Sequence, residues 1–256
     1  MTRPPLDAAL VREAVVRPGG MWTSVAVKDV TGSTNADLAS GEHPVGSVLV
    51  AESQTAGRGR LDRRWVSPPR AALMFSVLVR PAVPASNAGW LPLLAGVAVA
   101  AAIDDVVGLN ARLKWPNDVL IGDRKLAGIL AEQAACGVIV GIGLNVSATA
   151  AELPPPGPGS LRPTSLLIEG AGTEREPLLI AILGELERWY REPAAGLREE
   201  YVTRCATIGR DVRVELPNGR SLRGTADTVD PSGCLVVRAP GAEPVAIIAG
   251  DVVHVR

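Results

Sequence analysis

Short strand patterns fill the middle and the end of this chain, and they restrict its fold more than any other feature does. Four of them lie between residues 111 and 146, joined by short turns. Five more follow from about Thr207, separated by the turn sequences Asn218-Gly219, Pro231-Ser232-Gly233 and Pro240-Gly241. Because helices and strands do not alternate strictly, we predict an α+β fold with a mixed, largely antiparallel sheet rather than a doubly wound one.

The last group of strands predicts a small closed β-barrel that follows a larger domain. We divide the chain into residues 1–205 and residues 206–256 on this basis. Residues 148–163 include five prolines and cannot form regular structure, so they are either a functional lid or a disordered segment. Helices are predicted within residues 1–20, from Ser33, over about residues 88–107 and over residues 176–192.

Charge and cysteine usage exclude several classes of protein. The net charge of −1 gives no overall field that would recruit DNA or an anionic membrane. The three cysteines are far apart and match no disulfide framework or zinc spacing, which fits a reducing compartment. The apolar stretch Trp90–Ile103 is too short to span a bilayer and is read as a buried helix. Since the N-terminus has no signal-peptide pattern, we expect a cytoplasmic protein.

Common catalytic motifs are missing from the sequence. Neither His43 nor His254 stands beside a serine or cysteine motif, so a histidine-based triad is not expected. No P-loop sequence is present. Gly141 and Gly143 follow a strand pattern but lack the third glycine and the helix of a dinucleotide fingerprint. We interpret them as strand glycines that let another group approach closely.

An arginine-rich loop, SQTAGRGRLDRRW at residues 53–65, is the first candidate site. Gly57 lets the backbone approach a ligand without a clash of Cβ atoms. Arg58 and Arg60 can each form paired hydrogen bonds with carboxylate or phosphate oxygens. Trp65 offers a flat apolar surface, for instance to a nucleobase. The loop on its own is equally consistent with a solvated basic turn.

Lysine is rare in this chain, which has 26 basic residues but only three lysines. Two of them, Lys114 and Lys125, flank Asp118 in the segment LKWPNDVLIGDRKLAGIL. Two adjacent short strands would place Asp118 and Lys125 on the same side of a hairpin. A lysine there suits a ligand that carries negative charge during a reaction.

Five motifs together resemble the biotin–protein ligases in order and spacing: STN (33–35), QTAGRGR (54–60) with Trp65, KWPND (114–118), KLAGIL (125–130) and GIGLNV (141–146). The similarity covers roughly residues 22–147. It implies a catalytic domain related to class II tRNA synthetases, over residues 1–205, and an SH3-like C-terminal domain over residues 206–256. The implied reaction makes biotinyl-5′-AMP from biotin and ATP, and then transfers biotin to one lysine of a carrier domain.

The resemblance also implies a role for each matching residue. Lys125, Arg60 and Asp118 are the implied catalytic residues, and Lys125 is expected to contact the biotin carboxylate and the adenylate. The implied biotin-binding residues are Ser33, Thr34, Asn35, Gln54, Arg58, Gly59, Arg60 and Lys125. The implied ATP and adenylate contacts are Arg58, Arg60, Trp65, Lys114 and Asn145.

The implied ligands are biotin, ATP and Mg²⁺, with metal ligands that the sequence does not identify. The expected partner is the biotin carboxyl carrier domain of an acyl-CoA or acetyl-CoA carboxylase or of pyruvate carboxylase. We expect a monomer or a weak homodimer. About twenty residues precede Trp22, too few for the winged helix of dual-function members, so we expect no nucleic-acid or membrane partner. Asp62 stands where many members have glycine, which bears on how the arginine loop closes.

The charges fit this reaction chemically. A carboxylate is already ionised at pH 7, so its attack on the α-phosphate needs no general base. The difficulty is to bring two anions together, which arginines, a lysine and Mg²⁺ relieve. Two alternatives stay open: a lipoate–protein ligase-like enzyme that forms an acyl adenylate, and a non-catalytic biotin sensor.

Overall fold

The computed structural model describes residues 3–61, 63–81, 89–157, 160–192, 194–217 and 219–255. Asp62 and Asn218, on which two sequence predictions depend, lie outside these ranges. The helices are α1 (Ala8–Val15), α2 (Thr34–Ser40), α3 (Trp90–Val107), α4 (Arg175–Arg191) and α5 (Ala194–Arg204).

A mixed seven-stranded sheet forms the centre of the fold, in the order β1-β2-β3-β7-β6-β5-β4. Only the β1–β2 pair is parallel among the pairings described, and the other five are antiparallel. This confirms the predicted α+β class. The strands are β1 (Ser24–Lys28), β2 (Ser47–Ala51), β3 (Ala72–Val79), β4 (Ala111–Lys114), β5 (Asp118–Ile121), β6 (Arg124–Ala134) and β7 (Gly137–Asn145).

Helix α3 is the core helix of the molecule. It is apolar on all sides, with a mean hydropathy of 1.8, and 72 % of it is buried within the fold. Its length and composition would also allow it to cross a membrane, but a helix that is hydrophobic all round also suits a protein core. It ends at Val107, as predicted, and its C-cap Gly108 has a positive φ of 68°. Residue 88, where the predicted helix begins, lies outside the described residues. The reading of Trp90–Ile103 as a buried helix is confirmed.

The remaining helices differ more from expectation. Helix α1 ends at Val15, before the predicted Pro18-Gly19-Gly20 stop, because Val16 is already extended. Helix α5 was not predicted, although Leu197 and Tyr201 lie one turn apart and are both buried. The sequence of α5, Ala194–Arg204, has too weak an apolar pattern to indicate a helix.

The five predicted C-terminal strands form a second, antiparallel sheet in the order β11-β10-β9-β8-β12. No pairing joins the edge strands β11 and β12 within residues 219–255. The sheet contacts the larger layer through two indole donors: Trp90 Nε1 bonds Pro231 O at 2.8 Å and Trp115 Nε1 bonds Gly233 O at 3.0 Å. The strands are β8 (Asp211–Glu215), β9 (Ser221–Val229), β10 (Leu235–Arg238), β11 (Val245–Ile247) and β12 (Asp251–His254).

The proline-rich loop is described over residues 148–157 and 160–163, and its end is bonded to strand β6. Lys125 N donates to Arg162 O at 2.9 Å, and Thr164 N donates to Lys125 O at 2.8 Å. The loop therefore returns to the sheet beside the lysine that the sequence singled out.

Candidate functional site

A cavity of about 140 Å³ lies where strands β6 and β7 meet helix α2 and residues 57–65 of the arginine-rich loop, which are called the arginine loop below. Ten of the twelve residues predicted for the site line it: Ser33, Thr34, Asn35, Gln54, Arg58, Gly59, Arg60, Trp65, Asp118 and Lys125. The structure thus brings together segments that are up to 92 positions apart in the sequence.

The start of helix α2 forms one wall of the cavity. Ser33 caps the helix, as predicted, and its Oγ accepts from Ala36 N. Thr34 N donates to Gln54 Oε1 at 2.8 Å. The fully buried Ser76 of β3 donates to Asn35 Oδ1 at 2.5 Å, and its Oγ lies 2.6 Å from Thr34 Oγ1. These bonds fix the polar groups of α2 before any ligand arrives.

Two short backbone bonds fold the arginine loop back on itself. Gly59 N donates to Arg63 O at 2.7 Å, and Trp65 N donates to Gly57 O at 3.0 Å. A Cβ atom on Gly57 would lie 2.5 Å from Trp65 O, so the close approach requires glycine here. Leu61, at the tip, has a positive φ of 53°. Asp62, the departure from the family pattern, is outside the described residues.

Each arginine of the loop has a partner in the protein. Arg58 forms an ion pair with Glu132 of β6 at 3.0 Å. Arg60 donates to Asn117 Oδ1 at 3.2 Å and to Gly250 O of the C-terminal sheet at 3.4 Å. The last two contacts join Arg63 to Asp251 and Arg64 to Thr55 O.

Lys125 and Asp118 lie side by side, which confirms the predicted hairpin geometry. Lys125 Nζ is 2.6 Å from Asp118 Oδ1. The β5–β6 register shifts between Val119 and Leu120, so Lys125 is displaced along its strand toward Asp118. Such a bulge re-aims a side chain, and here it places the pair at the cavity.

Cations accumulate around Asp118. Burial lowers the pKa of Arg60 below its usual range, with Asp118 opposing the shift and Arg63 adding to it. Burial also lowers the pKa of Lys114. Asp118 again opposes this shift, whereas Lys125, Arg63 and Arg60 add to it. A site that already disfavours its own positive charges gains when an anion enters.

Trp65 closes the cavity against strand β7. A Cβ atom on Gly143 would collide with its indole ring, and one on Gly128 would lie 3.3 Å from it. Gly141, two residues away on the same face, likewise leaves room for Asn35 Oδ1. The interpretation of Gly141 and Gly143 as sites of close approach is confirmed. Trp65 Nε1 is buried and has no hydrogen-bond partner within the described ranges.

Two predicted ligand contacts do not line the cavity. Lys114 lies behind Asp118, to which it is paired across the β4–β5 ladder. Asn145 is buried, and its Nδ2 donates to Thr164 O at 2.9 Å. The sequence could not show that these two residues stand outside the lining. Which residues of a motif face the cavity depends on how the surrounding strands pack.

Several contributors had no predicted role. Phe75 and Asn117 line the cavity, as do Arg63 and Arg64, which belong to the candidate loop but were given no role of their own. Asn117 sits inside the KWPND motif, so its position next to Asp118 was the available signal. Ser76 and Asp251 lie on strands without a motif, and Glu132 lies on β6 two residues beyond the KLAGIL motif, so no motif included any of the three.

Two models of known protein families match this sequence. The Biotin/lipoate A/B protein ligase family model matches residues 25–147, and the Biotin protein ligase C terminal domain model matches residues 207–255. A Biotin–[acetyl-CoA-carboxylase] ligase of Mycobacterium tuberculosis is 43 % identical over 99 % of this chain and 97 % of its own length. The chain belongs to the biotin protein ligase family.

Further relatives agree with that assignment. The Bifunctional ligase/repressor BirA of Escherichia coli is 31 % identical over 85 % of this chain and 70 % of its own length. A solved biotin protein ligase from Aquifex aeolicus, in complex with biotin and ATP, superposes with a TM-score of 0.79 at 26 % identity. That superposition covers 90 % of this chain and 98 % of the Aquifex chain. The predicted family, fold class and enzyme class are therefore confirmed, and the protein is a biotin–protein ligase.

Proposed function

We propose that this ligase joins biotin to ATP as biotinyl-5′-AMP in the cavity described above, and then transfers biotin to a lysine of a carboxyl carrier domain. The observation that carries the proposal is the meeting of Lys125, Arg60 and Asp118 with the polar start of α2 in one cavity. The Mycobacterium tuberculosis relative is named as a ligase for acetyl-CoA carboxylase, and the Aquifex structure holds biotin and ATP.

The fixed polar groups suit the uncharged ring of biotin. In this proposal Ser33, Thr34, Asn35 and Gln54 hydrogen-bond the ring. The loop residues Arg58 and Gly59 cover it. Because Ser76 and Gln54 already orient the α2 groups, little rotamer freedom remains to be lost on binding.

The cations suit the reacting end of biotin. Lys125 and Arg60 stabilise the negative charge that builds up between the carboxylate and the α-phosphate, and no general base is needed for this step. Asp118 holds Lys125 in place within the 2.6 Å ion pair. In the second step Asp118 also orients or deprotonates the acceptor amine.

The nucleotide occupies the side of the cavity that Trp65 covers. The unpartnered Nε1 of Trp65 is a donor for a ligand acceptor, and its ring offers a stacking surface. In this proposal Arg58 and Arg60 contact the phosphates, while Lys114 and Asn145 support the adenylate site from behind the lining. Mg²⁺ is proposed to enter with ATP and to be held mainly by the ATP phosphates.

We assign the catalytic domain to residues 1–205 and the SH3-like domain to residues 206–256. The acceptor is proposed to be the biotin carboxyl carrier domain of an acyl-CoA or acetyl-CoA carboxylase or of pyruvate carboxylase. The protein is proposed to act in the cytoplasm as a monomer or weak homodimer. With a net charge of −1, it is proposed not to bind specific DNA at moderate salt, which a gel shift with genomic DNA tests.

ATP–pyrophosphate exchange tests the proposal. Biotin should start exchange and lipoate should not, and a carrier domain should then gain biotin on one lysine. Exchange with lipoate alone would make the chain a lipoate–protein ligase-like enzyme. Biotin binding with no exchange would make it a biotin sensor.

A further inference from the structure

One carboxylate oxygen, from Glu132, contacts both helix α2 and the arginine loop. Oε2 of Glu132, on strand β6, accepts from Asn35 Nδ2 at 2.6 Å. The same oxygen lies 3.0 Å from Nη2 of Arg58 in the arginine loop. Glu132 is absent from the cavity lining and belongs to none of the five sequence motifs.

The contacts of Asn35 make the orientation of its amide depend on Glu132. Asn35 is buried, its Oδ1 accepts from Ser76, and its Nδ2 donates to Glu132 and, at 3.3 Å, to Leu130 O. A carboxylate accepts but does not donate, so it selects the amide orientation with Nδ2 toward β6. Gly141 leaves the space into which Oδ1 then points.

The contact with Arg58 acts on the loop. Arg58 stands between Gly57 and Gly59, whose backbone groups bond to Trp65 N and Arg63 O on the other arm of the loop. The bridge between Arg58 and Arg64 makes it the point where the two arms of the loop meet. An ion pair at Arg58 therefore holds both arms down.

From this geometry we propose that Glu132 is a positioning residue that couples closure of the arginine loop to the orientation of Asn35 in the biotin site. The inference rests on the proposed function, because it takes the cavity as the site for biotin. Glu132 touches neither reacting atom. It acts through the two residues that its Oε2 joins.

Two substitutions separate the two contacts. Glu132→Gln keeps an acceptor for Asn35 but loses the charge that attracts Arg58. Because half-exposed ion pairs are weak, this variant should raise the KM for biotin only about 2–5-fold, with little change in kcat. Glu132→Ala loses both contacts and should raise that KM about 10–50-fold, because a buried amide loses a charged partner. Glu185→Gln is the matched control, since Glu185 pairs with Arg188 on the outer surface of α4.

A double-mutant cycle with Arg58→Ala gives the decisive readout. In the Arg58→Ala background the effect of Glu132→Gln should disappear, while that of Glu132→Ala should persist through Asn35. An effect of Glu132→Gln that is equal in both backgrounds would overturn the proposal, as would variants with unchanged KM. Thermal melting identifies loss of folding, and the Gln variant alone decides if the Ala variant does not fold. An inactive wild-type protein would instead refute the proposed function.

Discussion

Two regions of this molecule contain arginine–carboxylate pairs that differ in their exposure to solvent. Just after β2, Arg175 binds Glu52 with two bonds of 2.5 and 3.1 Å, and the side chains are only 6 % and 2 % exposed. At the arginine loop, Arg58 and Glu132 are 45 % and 31 % exposed. The chemistry is the same, but water reaches only the second pair.

The difference in exposure separates a fixed scaffold from a movable cover. Glu52 also accepts from Leu6 N and lies two residues before Gln54, so the buried pair fixes the strand that enters the site. The half-exposed pairs of the loop contribute only about 0.2–1 kcal/mol each. The cavity of about 140 Å³ is smaller than the roughly 300–1,000 Å³ of typical ligand sites, so we expect the loop to move when a ligand enters. Weak pairs allow that movement.

The largest expected effect comes from breaking the buried pair. Arg175→Ala leaves the charge of Glu52 buried without its partner, which should lower the free energy of unfolding by about 3–5 kcal/mol. Urea denaturation measures the loss. Replacing both residues together, as in Glu52→Gln with Arg175→Met, should restore much of it. A single variant as stable as the wild type would mean that the scaffold does not depend on this pair.

Lys125→Ala should be the most damaging change to catalysis. Loss of one preorganised charge should slow adenylate synthesis about 10²–10³-fold while the fold persists. Lys125→Arg should restore little, because the planar guanidinium does not replace a compact ammonium. The control is Lys28→Ala, since Lys28 pairs with Asp37 on the surface. A near-normal exchange rate in Lys125→Ala would remove Lys125 from the mechanism.

Strand β12 is joined to the scaffold at the half-buried His254, whose Nε2 lies 3.1 Å from Thr207 Oγ1. Burial, Lys114 and Arg210 lower the pKa of His254 to about 4, with Asp123 opposing the shift. The neutral ring contributes stability that is present above its unfolded pKa and is lost as pH falls through the folded pKa. As the pH falls from about 6.5 to 4, we expect the free energy of unfolding to decrease by about 1–2 kcal/mol, a value already reduced because the ring is partly exposed.

His254→Gln tests this dependence by comparison of denaturation curves at several pH values. The variant should lose less stability than the wild type as the pH falls from 6.5 to 4. Parallel pH profiles for the two proteins would show that His254 is not the titrating group.

The smallest effect is expected at the exposed end of the same strand. Asp251→Asn removes the charge that pairs with Arg63 of the loop, and it should change the free energy of unfolding by less than about 1 kcal/mol. Proteolysis of the ligand-free protein with trypsin should nevertheless cut the loop faster after Arg63, because that side chain is released. Equal cleavage rates in variant and wild type would show that Asp251 does not restrain the loop.

The sequence predicts the parts of this site that lie within one motif or one hairpin. The Ser33 cap, the Asp118–Lys125 pair and the strand glycines follow from local spacing and strand alternation. Glu132, Ser76 and Asp251 could not be predicted, because their roles depend on which strands become neighbours in the folded sheet. Lys114 and Asn145 belong to motifs and were predicted as ligand contacts, but neither lines the cavity.

Amide hydrogen exchange tests the contrast between scaffold and cover most directly. The informative amides are Gly59 and Trp65, which bond across the loop, and Glu52 and Arg70, which bond at the end of β2. Without ligand, we expect the two loop amides to exchange at least about tenfold faster than the other two, because half-exposed bonds open locally. Biotin with ATP should slow the loop amides and leave Glu52 and Arg70 unchanged. Loop amides that are as protected as those of Glu52 and Arg70 in the ligand-free protein would contradict the account.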